Sequence, residues 1–439
     1  MNLKISSKEF YHRQEQEIKR FLNTDKKSLH ICMNPESIGD IKGLYDLDTL
    51  LSNNEIDIVN QIKKVEKNYY DFVVITDLFE ISDDIYELLL TLKSKLTPIG
   101  KILVSTVNPK WSFIIRVFEL LKLKNSIKKN SKINSKKIIS MARSCGLEFN
   151  YFYTKQIFPF SLGGIGRISN KLFELILFKF NFGIKNYLLF SNIFNQKKVL
   201  TKSVIVPAKN ESENLKLLFE NFPNISNLSE VVLICADSID DTINVGYKMK
   251  KKYKDLNIKI IEQTSKGKAG AVFEGMDHTT GELIAILDSD ISVEPKTLNS
   301  FFEIIENGNG DFVNGTRLIY PIEDKSMRFM NKLGNQFFKS AVSIVIQNKL
   351  SDSLCGTKVF RRSHIKKIKS WREELNNLDP FGDFDFLFSA AYSGEKIVEY
   401  PVHYKARVYG ETQINRYRDG FKLIIYFFKS FSRFNSSIN

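Results

Sequence analysis

What most constrains this chain is a rhythm in its second half. Four short apolar, β-branched runs, "SVIV" (203–206), "EVVLICAD" (230–237), "IKIIEQ" (258–263) and "LIAILDSD" (283–290), alternate with helical stretches around 240–253 and 268–278. Strands that alternate with helices build a largely parallel sheet covered by helices. Such sheets bind ligands beyond the carboxyl ends of their strands. The fourth run ends in Asp288 and Asp290, and two carboxylates about 4 Å apart repel by roughly 4 kcal/mol at an effective dielectric near 20. Asp is common where strands stop, which accounts for one of the two. A bound cation accounts for both, and oxygen ligands with open positions suit Mg²⁺ or Mn²⁺ completed by water and phosphate oxygens.

The turn before that strand, "SKGKAGAVFEGMDHTTGE", sets Lys266 and Lys268 among glycines at a helix start. Ammonium groups and backbone amides there can hold a diphosphate. Asp237, at the end of the preceding strand, can accept from a nucleobase N–H. Near "VIVPAKNESENLKLLFENF", Asn210 is expected to cap a helix, with Glu213 at the reciprocal position. Together these parts describe a pocket for a nucleoside diphosphate and its metal.

"VIVPAKNE", "ADSIDDT", "GKAGAVFEGMDHTTGELIAILDSDISVEP", "GDFVNGTRL", "DSLCGTKVFRRS" and "EKIVEYPVHYKARVYGETQI" occur in this order between about 202 and 425. The series resembles the family 2 glycosyltransferases, in the branch that contains dolichol-phosphate mannose synthases. The resemblance implies an α/β GT-A fold, a mixed sheet with helices on both faces, and metal-dependent inverting transfer from a nucleotide-sugar. Carried over by position, Pro207, Ala208 and Glu211 line the nucleoside site and Asp237 faces the base. Lys268 approaches the diphosphate, Asp288 and Asp290 bind the metal, and Asp288 also lies near the ribose or sugar. One departure is visible: where the family often reads "VDDGS" this chain has "ICADS", so Cys235 or Ala236 replaces one of two acids.

On the acceptor side, "LDPFGDFDF" offers Asp383 and Asp385. Either they begin and flank a helix turn, or one takes the proton of an attacking sugar hydroxyl. An acceptor lipid phosphate is already ionised, and the carboxylates would then position groups. "DSLCGTKVFRRS" gathers Asp352, Lys358, Arg361 and Arg362, of which Lys358 and Arg361 are candidates for an acceptor phosphate; a basic helix start is the plainer alternative. In the family the loop at 404–418 folds over the donor, which makes Arg407 a candidate diphosphate contact.

The first half carries a different signal. "YYDFVVITDLFEISDDIYELLLTLKSKLTPIGKILVSTVNP" (69–109) reads as strand, acidic turn, amphipathic helix, Pro–x–Gly turn and strand. With the helix–Cys–Gly–strand stretch "SKKIISMARSCGLEF" it is similar to the later half of class I S-adenosylmethionine methyltransferases. The cofactor half departs: "LHICMNPESIGD" (29–40) holds only Gly39 where that family has a glycine-rich turn. A Rossmann-like domain without S-adenosylmethionine is therefore expected. The boundaries read as 1–198 for this domain, 199–425 for the transferase and 426–439 for a basic–aromatic tail.

Length and composition agree with this division. At 439 residues the chain is too long for one ordinary core; 43% hydrophobic and 26% charged residues make it globular. Four scattered cysteines have no metal-ligand spacing, and a cytoplasmic setting follows. No signal peptide or membrane span is read. The net charge of +14 favours an acidic partner, and "LKLKNSIKKNSKINSKK" (121–137) reads as a solvated basic face. Nucleic acid is not expected, since charge alone supports it. The segment "DGFKLIIYFFKSFSRF" (419–434) is either a docking helix or an interfacial helix on anionic lipid at the inner face of the membrane. The expected partners are a nucleotide-diphosphate sugar and a polyprenyl phosphate or glycan acceptor.

Two other classes compete. "LDSDISV" approaches the D-x-D-x-[TV] of haloacid-dehalogenase phosphatases, but it follows the fourth strand of its domain and not the first. A nucleotide-sugar-binding scaffold protein would use both halves without chemistry.

Overall fold

The computed structural model describes residues 7–22, 26–32, 46–52, 55–80, 82, 84–114, 117, 134–157, 169–170, 173–174, 181–193, 199–320, 329–346, 350–405, 409 and 416–435. They fall into two compact units, Met1–Phe194 with Ser432–Asn439, and Asn195–Phe431.

The first unit holds a six-stranded sheet in the order β2-β1-β3-β4-β6-β5. Its strands are β1 (Ser28–Cys32), β2 (Leu47–Leu51), β3 (Tyr70–Thr76), β4 (Leu96–Val107), β5 (Leu147–Lys155) and β6 (Lys185–Asn192). The first four are parallel, and β6 runs antiparallel between β4 and β5. The helices are α1 (Ser7–Lys19), α2 (Glu55–Lys64), α3 (Ile85–Lys93) and α4 (Ser135–Ser144). Side chains alternate across β3: Val73 and Ile75 enter the core shared with α3, while Phe72 and Val74 join Ile18 and Phe21 on the opposite face. The Pro–x–Gly turn expected after α3 is absorbed into β4. Tyr70 pairs with Leu96 but Phe72 with Lys101, so residues 97–100 bulge out of the ladder. The expected cofactor turn with Gly39 and most of the lysine-rich stretch lie outside the described residues.

The second unit is built on a seven-stranded mixed sheet in the order β13-β11-β12-β10-β7-β8-β9. These are β7 (Lys202–Ala208), β8 (Leu228–Cys235), β9 (Ile258–Glu262), β10 (Leu283–Ile286), β11 (Phe312–Thr316), β12 (Lys358–Arg361) and β13 (Ile397–Pro401). Strands β10, β7, β8 and β9 are parallel, and β12 is antiparallel to both of its neighbours. The helices are α5 (Ser212–Glu220), α6 (Thr242–Lys252), α7 (Gly267–Asp277), α8 (Thr297–Glu306), α9 (Phe329–Ile346), α10 (Ile365–Glu374), α11 (Asp383–Tyr392) and α12 (Arg416–Asn435).

Val204 and Val206 of β7 face one core with Leu215, Val245, Leu298 and Phe301 from α5, α6 and α8. Each such buried side chain contributes roughly 1.5–3 kcal/mol. On the opposite face α7 lies so close to the sheet that a Cβ at Gly275 would sit 2.7 Å from Ile205. Phe386 of α11 packs there against Phe273 at 5.5 Å and Phe360 at 5.2 Å between ring centroids. The alternation read from sequence thus gives a mixed α/β sheet with helices on both faces.

The cap expected at Asn210 is not made. Asn210 has φ 55° and its side chain accepts from the Ile239 amide at 2.9 Å, tying the loop after β7 to the loop after β8. The first amide of α5, Ser212, donates instead to Asp240 at 3.0 Å. Glu213 pairs with Lys216 at 2.6 Å. The four cysteines are buried and none is in a disulfide. Among the described residues no helix is long and apolar enough to cross a membrane.

Candidate active site

The sheet brings the chemistry to one edge. Strands β7, β8 and β10 end at Ala208, Cys235 and Ile286, and β12, running the other way, begins beside them because Ile286 pairs with Lys358. The carboxylates that follow β10 are held by a tight turn. The Leu287 amide donates to the Ile205 carbonyl at 3.0 Å, and the Ser289 hydroxyl to the Pro207 carbonyl at 2.9 Å. Asp290 Oδ1 accepts from the Ser292 amide at 3.0 Å and its hydroxyl at 2.7 Å. Between them Ile291 sits at φ 55°. A β-branched residue in the left-handed region costs about 1–2 kcal/mol, a strain that persists where surrounding contacts dictate the turn.

Asp288 Oδ1 lies 2.6 Å from Lys268 Nζ, the lysine one residue into α7. Both side chains are partly open to solvent, at 24% and 33%, whereas Asp290 is 5% exposed. Burial works against the Lys268 ammonium, but Asp288, Asp383 and Asp290 outweigh it and hold the group above its usual range. Gly356 closes the other side of the pair. A Cβ there would strike Asp288 Oδ2 and sit 2.7 Å from Lys268 Nζ.

The two candidate bases separate. Residues i and i+2 of a helix do not share a face, and Asp383 and Asp385 point to different surroundings. Asp383 Oδ1 meets Lys358 Nζ at 2.7 Å, and the same ammonium donates to the Cys355 carbonyl. Asp385 is fully buried on Arg372 and accepts from the Tyr426 hydroxyl at 2.8 Å; Tyr426 in turn accepts from Trp371 at 2.7 Å. Burial and the neighbouring Asp379 push the Asp385 carboxyl up to about 8, against the pull of Arg372 and Tyr426.

The basic residues of "DSLCGTKVFRRS" separate too. Lys358 is fully buried and engaged with Asp383, not presented to an acceptor. Arg361 pairs with Leu283 at the far end of β10, three strand steps or roughly 10 Å from Lys358. It donates to the Ile305 carbonyl, so the structure does not bring it to the edge that holds Asp288. Arg362 donates to the Thr280 carbonyl at that same far end. Asp352 is buried in a bidentate pair with Arg317, at 2.6 and 2.9 Å.

On the nucleoside side, Pro207 and Ala208 end β7, and Asp237 stands exposed two residues past β8. Glu211 accepts from Asn214, whose side-chain amide also donates to the Tyr409 carbonyl at 3.2 Å. Tyr409 therefore lies at this point, while Arg407 is outside the described residues.

Three residues escaped the sequence reading. Asp379, fully buried, accepts from the Phe384 amide at 2.7 Å and the Asp385 amide at 3.1 Å, the capping role weighed for Asp383 and Asp385. Its signal was present in "DPFGD", an Asp four residues before the helix. Arg317 is anchored by Asp352, a pairing 35 residues apart that no local pattern announces. Gly356 is spatial: its φ is not positive, so it serves the close approach of Asp288 and not a turn.

As a metal site, Asp288 and Asp290 supply hard oxygen donors on one turn. Among the described residues there is no group of three or more His, Cys, Asp or Glu that could hold a metal ion. This donor set fits a hard divalent cation that takes its remaining ligands from water and phosphate, as Mg²⁺ does.

Residues 203–369 match the family described as Glycosyl transferase family 2. The chain is 27% identical over 219 residues to a dolichol-phosphate mannosyltransferase of Pyrococcus furiosus, covering 48% of this chain and 58% of that protein. It is 27% identical over 175 residues to a dodecaprenyl-phosphate galacturonate synthase of Rhizobium johnstonii, covering 39% and 50%. The chain thus spans about half the length of these curated relatives. A solved structure of glucosyl-3-phosphoglycerate synthase from Mycobacterium tuberculosis, in complex with Mn²⁺, uridine diphosphate and glucosyl-3-phosphoglycerate, superposes with a TM-score of 0.39 at 14% identity, over 53% of this chain and 80% of that one. The edge that gathers Asp288, Asp290, Lys268 and Asp383 is built almost wholly by residues of the matched stretch, and residues 203–369 are a family 2 glycosyltransferase domain.

Proposed function

We propose that residues 199–425 transfer a sugar, with inversion, from a nucleotide-diphosphate donor to a polyprenyl phosphate or a surface-glycan hydroxyl. The observation that carries this reading is the Asp288–Lys268 pair, 2.6 Å apart at the carboxyl edge of the sheet, with Asp290 held on the same turn. Pro207, Ala208 and Glu211 line the nucleoside, and Asp237 accepts from the base. Asp288 and Asp290 hold Mg²⁺ or Mn²⁺, which when bound offsets the negative charge that develops on the departing diphosphate. Lys268 contacts the same phosphates, and Arg407 joins it from the loop. Asp383, not Asp385, takes the proton of an attacking hydroxyl, and Lys358 keeps its carboxylate in place. With a lipid phosphate as nucleophile, Asp383 orients the acceptor instead.

The names of the polyprenyl-phosphate relatives support the lipid acceptor. So does α12, where Phe421, Ile424 and Phe428 form an exposed stripe flanked by Lys422 and Lys429, a composition suited to an anionic membrane surface. For residues 1–198 a methyltransferase-like reading is supported by the order β3, α3, β4 and by α4 being followed by Cys145 and Gly146 before β5.

A panel of nucleotide-sugars with Mg²⁺ and with Mn²⁺, read by thermal shift, tests the reading. A ligand at 100 times its dissociation constant stabilises by about 2.7 kcal/mol. Asp290→Asn should abolish the metal-dependent part of that shift and lower transfer by at least about 10²-fold. Full activity in that variant would refute the assignment.

A further inference from the structure

The ammonium of Lys268 occupies the place where a cation is most needed. It lies 2.6 Å from Asp288, and the charges of Asp383 and Asp290 reach it as well. Lys358 is committed elsewhere, buried between Asp383 and the Cys355 carbonyl. Gly356 leaves no room on its side for a second group, since even a methyl would collide with the pair.

In the ligand-free site the Lys268 ammonium offsets the Asp288 carboxylate directly, at 2.6 Å, and the neighbouring Gly356 backbone leaves no room for another group beside them. We infer that Lys268 holds the cation's place in the ligand-free site, and that it exchanges Asp288 for the donor's diphosphate as donor and divalent cation bind. This rests on the proposed donor site and adds its regulation. A divalent cation arriving alone competes with a resident ammonium for Asp288. A cation arriving with a diphosphate meets a carboxylate that the phosphates have freed by drawing Lys268 away. Donor and cation then bind cooperatively, and the free enzyme does not bind a metal prematurely. The pair can exchange because it is partly solvated; a fully buried one would need the desolvation of both ions to be overcome.

The test titrates the full chain with Mn²⁺ alone, by calorimetry and by the electron paramagnetic resonance signal of free Mn²⁺. Lys268→Gln removes the competitor and should bind Mn²⁺ roughly three- to tenfold more tightly than wild type. Lys268→Arg keeps the charge and should bind as weakly as wild type. Asp290→Asn, in either background, should lose the site. Equal or weaker Mn²⁺ binding by Lys268→Gln, with Asp290 still required, would overturn the exchange and leave the metal site standing. Absence of Asp290-dependent binding in every variant would sink the metal site and the exchange with it. Melting curves confirm that each variant is folded.

Discussion

Two acidic clusters lie on either side of the start of α11 and behave as opposites. At the sheet edge Asp288 pairs with Lys268, both partly open to water, and the charges of the buried Asp290 and Asp383 act on the same lysine. Behind the helix Asp379 and Asp385 are fully buried on Arg372, Tyr426 and backbone amides. Residue types and local density of charge are similar; solvent access and alternative partners are not. A pair that water can reach loses little when it opens, so it can trade partners with a ligand. A buried network fixes one geometry and makes any loss expensive. On the proposed function, chemistry belongs to the first cluster and the positioning of α11 and α12 to the second.

The largest effect that would break this contrast is on stability. Asp385→Ala removes the carboxylate to which both the Arg372 guanidinium and the Tyr426 hydroxyl donate inside the fold, and should cost about 3–5 kcal/mol in equilibrium urea unfolding. Transfer per folded molecule should be nearly unchanged. A variant that stays stable but loses transfer would move Asp385 into the active site.

A smaller effect concerns pH. The Asp385 carboxyl, at about 8 in the folded chain, lies above its unfolded value of about 3.9. Between those values the native state binds the extra proton, so stability falls as pH rises and levels off above about 8. The slope from this group is at most about 1.4 kcal/mol per pH unit. Asp385→Asn cannot release a proton and keeps an oxygen for Arg372 and Tyr426. Its unfolding free energy should fall less than that of wild type between pH 5.5 and 8. Parallel curves for the two proteins would show that Asp385 is ionised throughout, held by Arg372.

The contrast explains what could be read in advance. The alternating strands and helices, the acid pair after β10 and the lysine at the start of α7 follow from local periodicity and turn chemistry, and the structure places Asp288 and Lys268 together. The "DFD" pair was ambiguous because spacing on a helix gives the separation of Asp383 and Asp385 but not which face meets the sheet. Phe386, three residues after Asp383 and packed on Phe273 and Phe360, decides that. Arg361 was misplaced for a related reason. A four-residue strand carries its two ends to opposite edges of a sheet, and the antiparallel direction of β12 is not written in its sequence.

The smallest effect tests how closely the open cluster is fitted. Gly356 has ordinary backbone torsions, so Ala there should cost little folding free energy. Its methyl would meet the ends of two side chains, Asp288 and Lys268, and side-chain ends can swing aside. They can do so only by leaving the positions that the proposed cation and diphosphate would require. Gly356→Ala should therefore weaken metal-dependent nucleotide binding by about tenfold, or roughly 1.4 kcal/mol, while the melting temperature in the absence of ligand stays close to wild type. The same substitution at Gly275, where the methyl would meet Ile205 of the core, should do the reverse: lower the melting temperature and leave binding by the folded fraction intact. If Gly356→Ala lost stability and Gly275→Ala lost binding, the open cluster would be the structural one, and the division between the two sides of α11 would have to be redrawn.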